Sequence, residues 1–484
     1  MGTIQLEHVA PGIPRPFARI ALAVLLVTAT GFPNCARTQV SSVNFRHLEH
    51  LTESIPFAGD TVDIVHVYAN YPDYRWYEAA DSGTEGIACV DDAARAAVVY
   101  LRHYQLTHDA RSLSRARRLL GFVLSMQTVD GEFYNFILPD HSINRTGKTS
   151  FKSFGWWASR AVWSLGLGYM VFRESDPLFA ERLNAAFRRS LPCVHALLVS
   201  YGKCDSVSGY RVPRWLPYES GADVASELTL GLVEFYAADQ DTSVKSAIAK
   251  LVEGITLMQD GTVGHYPYGL HRSWETMWHM WGNSQTQALA TAGKILSNAS
   301  MVASAEREAE GFYSRLLVDG LMKEFDVARP GSIVRYEQIA YAVRPMAVGL
   351  IRLYEATGKR EYLVMAGLAA SWLLGNNVLH EAVYEPATGR CYDGIRDSVT
   401  INRNSGAEST IEALYTLIEV ERYPEAKEYL AFTRVSTQNS GRYHTALFRD
   451  SAGREATVGV DLAGGSLVVL ENEASREFQK AFQQ

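Results

Sequence analysis

The sequence predicts an all-α protein, an (α/α)6 toroid of six helical hairpins followed by a small C-terminal β appendage. Apolar residues recur with helical spacing in twelve segments, and the links between these segments alternate between short and long. Short links join the two helices of a hairpin, and long links bring each hairpin back to one face. Repeats of even length favour a closed ring, although an open array also fits the pattern.

The twelve predicted helices form six consecutive pairs. They span 91–105 with 109–126, 153–173 with 177–200, 222–239 with 242–259, 282–297 with 301–320, 336–357 with 360–376, and 405–420 with 422–433. Long loops in ordered domains usually carry function. The residues that lead from a long loop into the first helix of each pair are therefore the candidates for a site.

The chain ends predict two further segments. Residues 1–36 are typical of a secretory signal peptide, because Arg15 and Arg19 precede an apolar run that is too short to span a bilayer. We therefore expect an exported protein, periplasmic or extracellular. Residues 37–433 form the predicted toroid, and 434–484 alternate apolar and polar residues as strands do.

The net charge and the cysteine content of the chain limit which binding partners and ligands are expected. A net charge of −7 and a sequence pI near 6.0 argue against nucleic acid or an anionic membrane surface. The five cysteines contain no CxxC pair, which argues against a zinc site. No nucleotide- or dinucleotide-binding motif is present either, and no cofactor is expected. Cys193 and Cys204 flank a loop, and their spacing leaves a disulfide open. The sequence also leaves the oligomeric state open.

Two adjacent carboxylates, Asp91 and Asp92, begin the first inner helix, with Arg95 one turn later. One of them is explained by capping the helix, and the second needs another reason. Glu408 begins the last inner helix. A closed ring makes the first and last inner helices neighbours, so these carboxylates would face each other. Hydrolysis of a glycosidic bond needs such a pair.

The other helix entries combine aromatic faces with amide, guanidinium and imidazole groups, a mixture that suits sugars. The predicted substrate-binding residues are Arg95, Trp156, Trp157, Arg160, His279, Trp281, Asn283, Gln338, Tyr341 and Asn404. Trp278 is assigned the same role, whereas Trp163 and Trp372 lie mid-helix and are expected in the core. For His279, a structural role is an equal alternative.

These residues resemble the six-hairpin glycosidase superfamily over roughly 60–433. The motifs at 91–95 (Asp-Asp-Ala-Ala-Arg) and 406–410 (Gly-Ala-Glu-Ser-Thr) are similar to those of helical domains found beside bacterial glycosyltransferases. The stretch from 372 to 408 is similar to family 9 glycoside hydrolases. That resemblance implies Glu408 as general acid and a base from Asp91 or Asp92. The family 9 Asp-x-Gly-Asp spacing is absent, so the choice between the two stays open.

The sequence therefore predicts an exported glycoside hydrolase acting on a poly- or oligosaccharide. Inversion is expected for carboxyl groups about 6.5–9.5 Å apart and retention for groups about 5 Å apart, and we expect inversion. One alternative is a lyase or epimerase for uronic acids, with a basic cleft of Arg95, Arg145, Arg160 and Arg403. The other is a glycan-binding toroid without turnover.

Overall fold

The computed structural model describes residues 41–483, and the predicted signal peptide lies outside them. Its helices are α1 (Arg46–Leu51), α2 (Val90–Thr107), α3 (Ala110–Ser125), α4 (Trp156–Ser175), α5 (Pro177–Leu197), α6 (Ala222–Asp239), α7 (Thr242–Leu257), α8 (Gln285–Ile295), α9 (Ala299–Glu308), α10 (Ser314–Asp319), α11 (Val343–Thr357), α12 (Glu361–Ala370), α13 (Ala407–Glu421), α14 (Pro424–Lys427) and α15 (Asn472–Gln483).

Six of these helices form a closed inner ring. Each contacts the next in the order α2, α4, α6, α8, α11, α13, and α13 packs back against α2. Each inner helix also packs on the outer helix that follows it in sequence, which gives the six hairpins. The predicted (α/α)6 toroid is therefore confirmed, and the ring is closed rather than open.

Local sequence explains where these helices begin and end. The carboxylates of Asp176 and Asp241 accept from backbone N–H groups in the first turns of α5 and α7, as capping residues do. Inner helices are buried on nearly all sides, so their apolar residues do not form a single stripe. On the outside, a π-helical turn (Ala309–Tyr313) separates α9 from α10.

Short antiparallel strands occupy the chain before α2 and the long loops. They are β1 (Thr52–Phe57), β2 (Asp60–Val65), β3 (Tyr68–Asn70), β4 (Arg75–Tyr77), β5 (Ala88–Cys89), β6 (Phe136–Ile137), β7 (Cys204–Val207), β8 (Tyr210–Pro213), β9 (Met277–His279), β10 (Glu324–Asp326), β11 (Gln338–Ile339), β12 (Tyr384–Glu385), β13 (Arg390–Cys391), β14 (Gly394–Ile395) and β15 (Ile401–Asn402). This pairing fixes the loops that surround the ring mouth.

Two inner helices begin later than the sequence predicts. The sequence places these starts at 282 and 336, whereas α8 begins at Gln285 and α11 at Val343. Before α11, residues 338–339 pair as β11 with β14 instead of forming helix, whereas β9 ends at 279, ahead of the predicted start at 282. The side chains before α11 consequently point in directions that a helical register would not give.

The C-terminal β appendage is present as a four-stranded antiparallel meander. Its strands are β16 (Thr433–Asn439), β17 (Tyr443–Arg449), β18 (Glu455–Asp461) and β19 (Ser466–Glu471), in that spatial order. Helix α15 packs on β18 and β19, and α10 of the ring contacts β17 and β18. The domain boundaries at 36/37 and 433/434 stay predictions.

Two further observations concern the described residues alone. Cys193 and Cys204 are free thiols there rather than a disulfide. None of the helices from 41 to 483 has both the length and the apolar character needed to cross a bilayer.

Candidate functional site

A cavity of about 500 Å³ opens where the inner helices begin. Most of the sequence-predicted site residues line it. The charged ones are Asp91, Asp92, Arg95, Arg160 and Glu408, and the aromatic ones are Trp156, Trp157, Trp281 and Tyr341. The lining residues thus come from the starts of α2, α4 and α13 and from the turn just before α11. They meet in one space because the ring brings all these helix starts to the same face.

Arg95 connects the first inner helix to the last. Its Nη2 donates to Asp92 Oδ1 at 2.6 Å, and its Nη1 donates to Glu408 Oε2 at 3.2 Å and Glu412 Oε1 at 3.1 Å. Arg95 and Asp92 are buried, whereas the Glu408 side chain is 46% exposed. Among the described residues, only Arg95 bonds the Glu408 carboxylate, so Oε1 is free to meet a ligand.

A second guanidinium fixes the neighbouring carboxylate. Both oxygens of Asp91 accept from Arg160 Nη1 at 2.5 Å, and Arg160 Nη2 donates to the Tyr341 hydroxyl at 2.7 Å. Behind them, Arg344 is fully buried and bonds Glu412 and Glu227. The floor of the cavity is therefore a network of alternating charges, in which each buried ion has a partner.

The pKa values of Asp91 and Asp92 are shifted in opposite directions, lowered for Asp91 and raised for Asp92. Burial, together with the charges of Asp91 and Glu408, raises the pKa of Asp92 to about 6, although Arg95 opposes this. Burial acts on Asp91 in the same direction, but Arg160 and Arg95 outweigh it and hold the pKa below its usual value. Asp91 is therefore a carboxylate near neutral pH, whereas Asp92 retains a proton in part of the molecules.

Asp393 is a cavity residue that sequence reasoning missed. Its Oδ1 accepts from the Gly406 N–H at 3.0 Å and the Ser409 hydroxyl at 2.7 Å, and its Oδ2 has no hydrogen-bond partner among the described residues. Burial, reinforced by the charges of Glu408 and Glu337, raises the pKa of Asp393 to about 6. The only sequence signal was its position in the long loop 377–404.

Two predicted residues lie behind the cavity wall instead of on it. His279 is fully buried, with Nε2 2.8 Å from Asp223 Oδ2, and its ring lies between Trp274 and Trp281 at centroid distances of 4.7 and 3.9 Å. Asn283 donates to the His279 carbonyl oxygen and accepts from the Ser273 hydroxyl. Both residues support the tryptophans without lining the cavity.

Two others also lie away from the cavity. Gln338 donates to the Leu321 carbonyl oxygen at 2.7 Å and lines a separate pocket of about 110 Å³. Asn404 Oδ1 accepts from the Tyr71 backbone N–H at 3.1 Å. Trp278 packs against Phe312 and Phe325 in the core, where Trp163 and Trp372 are buried as well.

Metal chemistry has no evident ligand set in this part of the chain. Residues 41–483 contain no group of three or more His, Cys, Asp or Glu side chains arranged to hold a metal ion. The cavity acids are held by guanidinium, hydroxyl and backbone N–H donors instead. What the arrangement offers chemically is several carboxyl groups with different pKa values beside aromatic faces.

Comparison with known proteins addresses the fold. No protein-family model matches the chain, and no curated protein sequence matches it. The chain is similar to the solved cellobiose 2-epimerase from Bacillus thermoamylovorans B4167, with 12% identity and a TM-score of 0.53, over 79% of this chain and 97% of that one. A sugar epimerase from a ruminal bacterium gives 12% identity and a TM-score of 0.52, over 74% and 92%.

A metagenome-derived glycoside hydrolase family 9 endoglucanase also matches, with 14% identity and a TM-score of 0.44, over 78% of this chain and 79% of that one. The two epimerases show that the chain shares their toroid fold. The predicted similarity to the six-hairpin glycosidase superfamily is thereby confirmed at the level of the fold.

Proposed function

We propose that the protein is an exported carbohydrate-active enzyme that hydrolyses glycosidic bonds. The observation that carries this proposal is the meeting of Glu408 with further carboxyl groups in one cavity that also presents Trp156 and Trp281. Acid and base groups on two carboxyls are what glycoside hydrolysis requires. Export rests on the sequence of residues 1–36 alone.

Within the cavity, we assign the two catalytic roles to Glu408 and Asp393. Each has one oxygen that no other described residue bonds. Asp393, with its pKa raised to about 6, is suited to donate a proton to the leaving oxygen near neutral pH. Glu408 is then the base that activates water, and a base that activates water rather than attacking the sugar gives inversion.

This assignment differs from the sequence-based one, in which Glu408 is the acid and Asp91 or Asp92 the base. Asp92 Oδ1 is bonded to Arg95, its Oδ2 accepts from the Cys89 thiol, and its side chain is only 3% exposed. Asp91 is held at both oxygens by Arg160. We therefore propose that both aspartates position arginines, and that Asp393 reaches the substrate.

Action on uronic acids has less support. The cavity lining carries two guanidiniums against six carboxylates, namely Glu85, Asp91, Asp92, Glu337, Asp393 and Glu408. Both guanidiniums already bond carboxylates, so neither is free for a substrate carboxylate. The other arginines of the predicted basic cleft lie elsewhere, with Arg145 over the Tyr134 ring and Arg403 paired with Glu381.

Sugar epimerisation is the second candidate, since the two solved structures compared above with TM-scores of 0.52 and 0.53 are described as epimerases. Histidine is the side chain most often used to move a proton at a substrate carbon. No histidine lines the cavity in the described part of the chain. The carboxylates therefore favour hydrolysis.

The test is digestion of a panel of neutral, amino and uronic polysaccharides by the mature protein, read by mass spectrometry. Hydrolysis adds one water per bond cleaved, a lyase gives unsaturated products, and an epimerase incorporates deuterium from D2O without cleavage. Glu408→Gln and Asp393→Asn should each lower kcat/KM by about 100-fold or more. Exposed carboxylates provide matched controls, Glu428→Gln and Asp205→Asn.

Asp92→Asn separates the two assignments. If Asp92 only positions Arg95, the variant keeps the shape of the wild-type pH–rate profile and loses less activity than Asp393→Asn. A larger loss in Asp92→Asn, with wild-type turnover in Asp393→Asn, would return the second catalytic role to Asp92. Full activity in Glu408→Gln would refute the hydrolase proposal, and binding without any product would identify a glycan-binding toroid.

A further inference from the structure

A second cavity of about 320 Å³ adjoins the first, and the two share Trp156 as a common wall. Tyr218 and Trp274 line the second cavity, together with the carboxylates of Asp223 and Glu275. Its lining therefore repeats the chemistry of the first, aromatic faces beside hydrogen-bonding oxygens. No residue of this cavity has a role in the proposed hydrolysis except the shared Trp156.

Contacts with neighbouring residues hold the aromatic side chains of the second cavity in fixed positions. The Tyr218 hydroxyl accepts from the Trp156 backbone N–H at 3.3 Å, and a Cβ at Gly155 would clash with that hydroxyl. Trp274 rests on the ring of His279, which Asp223 orients from behind. These contacts hold Tyr218 and Trp274 in place beside Trp156 in the second cavity.

Two observations in this cavity concern the Ser220 hydroxyl and the backbone of two hydrogen-bonded turns, at 217–221 and 274–277. Ser220 is only 7% exposed, lines the cavity, and its hydroxyl has no hydrogen-bond partner among the described residues. Tyr218 and Glu275, which also line it, adopt left-handed backbone conformations with φ of 54° and 43°. Such conformations are costly for residues other than glycine and concentrate at binding sites.

We propose that the second cavity is a sugar subsite, so that the substrate is a glycan chain spanning both cavities across Trp156. Aromatic faces stack on the C–H surfaces of a pyranose, while the Ser220 hydroxyl and the Glu275 carboxylate bind its hydroxyl groups. This inference rests on the proposed function for the first cavity. It goes further by naming the residues of a second subsite and by requiring linked sugars to occupy both cavities at once.

Isothermal titration calorimetry on the full chain carrying Glu408→Gln tests the subsite without turnover. The probes are glucose, N-acetylglucosamine and glucosamine, and their β-1,4-linked oligomers of two to six sugars. For at least one series, Kd should fall about tenfold between one and three sugars, the effect of roughly one well-stacked ring. Trp274→Ala and Tyr218→Ala, added to this background, should remove most of that gain.

Two further variants keep the test decisive. Ser220→Ala deletes only a hydroxyl, so it should fold normally and weaken binding of the longer sugars by about three- to tenfold. Tyr201→Ala is the matched control, since Tyr201 is 40% exposed and lies away from both cavities. Thermal melting followed by circular dichroism verifies that each variant is folded.

The outcomes separate this inference from the proposed hydrolysis. A Kd independent of chain length, an unchanged gain in Trp274→Ala and Ser220→Ala, or no binding of any probe would overturn the subsite. The wild-type chain is incubated with the same oligomers and analysed by mass spectrometry. Length-dependent binding with no cleavage would support the subsite and contradict the hydrolase.

Discussion

Arg95 and Glu408 lie 313 positions apart in the sequence, yet Arg95 Nη1 is 3.2 Å from Glu408 Oε2. The contact joins α2 to α13, the two helices that close the ring. The same guanidinium bonds Asp92 and Glu412, both buried. Arg95 is thus at once a ring-closing residue and part of the cavity wall.

Removal of Arg95 should destabilise the ring. Arg95→Ala leaves Asp92 without its guanidinium and Glu412 with only Arg344, and an uncompensated buried charge costs about 3–5 kcal/mol. Urea unfolding followed by circular dichroism measures the change. The exposed Arg111→Ala is the control and should change the free energy of unfolding by less than about 0.5 kcal/mol. Equal effects in the two variants would show that the network does not stabilise the fold.

The raised pKa of Asp393 predicts a pH dependence of stability with a definite sign. The pKa is about 6 in the folded state and 3.8 for an unperturbed aspartate, so the folded state binds more protons between these values. Stability is therefore lost as the pH rises from about 4 to about 6, and the loss is complete above that range. Asp393→Asn removes this penalty, so its stability relative to wild type should increase from pH 4 to pH 8.

Urea unfolding at intervals between pH 4 and pH 8 tests that sign. Asp140 provides the contrast, because hydrogen bonds from Ser142 hold its pKa below the usual value. Asp140→Asn should therefore become less stable relative to wild type as the pH rises through the acidic range. A parallel response in the two variants would contradict the burial of Asp393 beside Glu408 and Glu337.

A substitution at Gly282 tests whether the position of the Trp156 ring matters for binding. This glycine has φ +67°, and a Cβ there would lie 2.7 Å from Trp156 Cη2. Gly202 has φ +84° with nothing within 4 Å of such a Cβ. Both alanine variants incur the left-handed strain of about 1–2 kcal/mol, so the additional effect in Gly282→Ala isolates displacement of Trp156.

Thermal unfolding and sugar affinity are the two measurements for this glycine pair. We expect Gly282→Ala to melt at a lower temperature than Gly202→Ala and to bind the oligosaccharide probes more weakly. Equal melting and equal affinity would mean that Trp156 tolerates displacement, and its role as a shared wall would then be refuted.

The ring and part of the cavity were predictable because hairpin periodicity fixes which helix starts share a face. Asp91, Arg95 and Glu408 follow from that rule. Gln338 does not, since strand pairing before α11 replaces the predicted helical turn and directs its amide to Leu321. At a helix entry, the sequence pattern is the same for a residue that faces the cavity and for one that supports its wall, as His279 and Asn283 do.

Asp393 lay beyond sequence reasoning for a different reason. It belongs to a loop, where no periodicity assigns a direction to a side chain. Its place in the cavity depends on two hydrogen bonds at the start of α13, from the N–H of Gly406, which precedes the helix, and from the Ser409 hydroxyl in its first turn. These partners lie 13 and 16 positions further along the chain, so a sequence pattern does not show that they meet Asp393.

Closure by α13 also has a consequence for biosynthesis. The chain is made from its N-terminus, so α2 emerges long before α13 supplies its second neighbour in the ring. Until residues 406–421 have been translated, Arg95 lacks both glutamates and Asp393 lacks its two donors. The nascent polypeptide therefore has no complete cavity, and the last inner helix completes it only when synthesis of the toroid is almost finished.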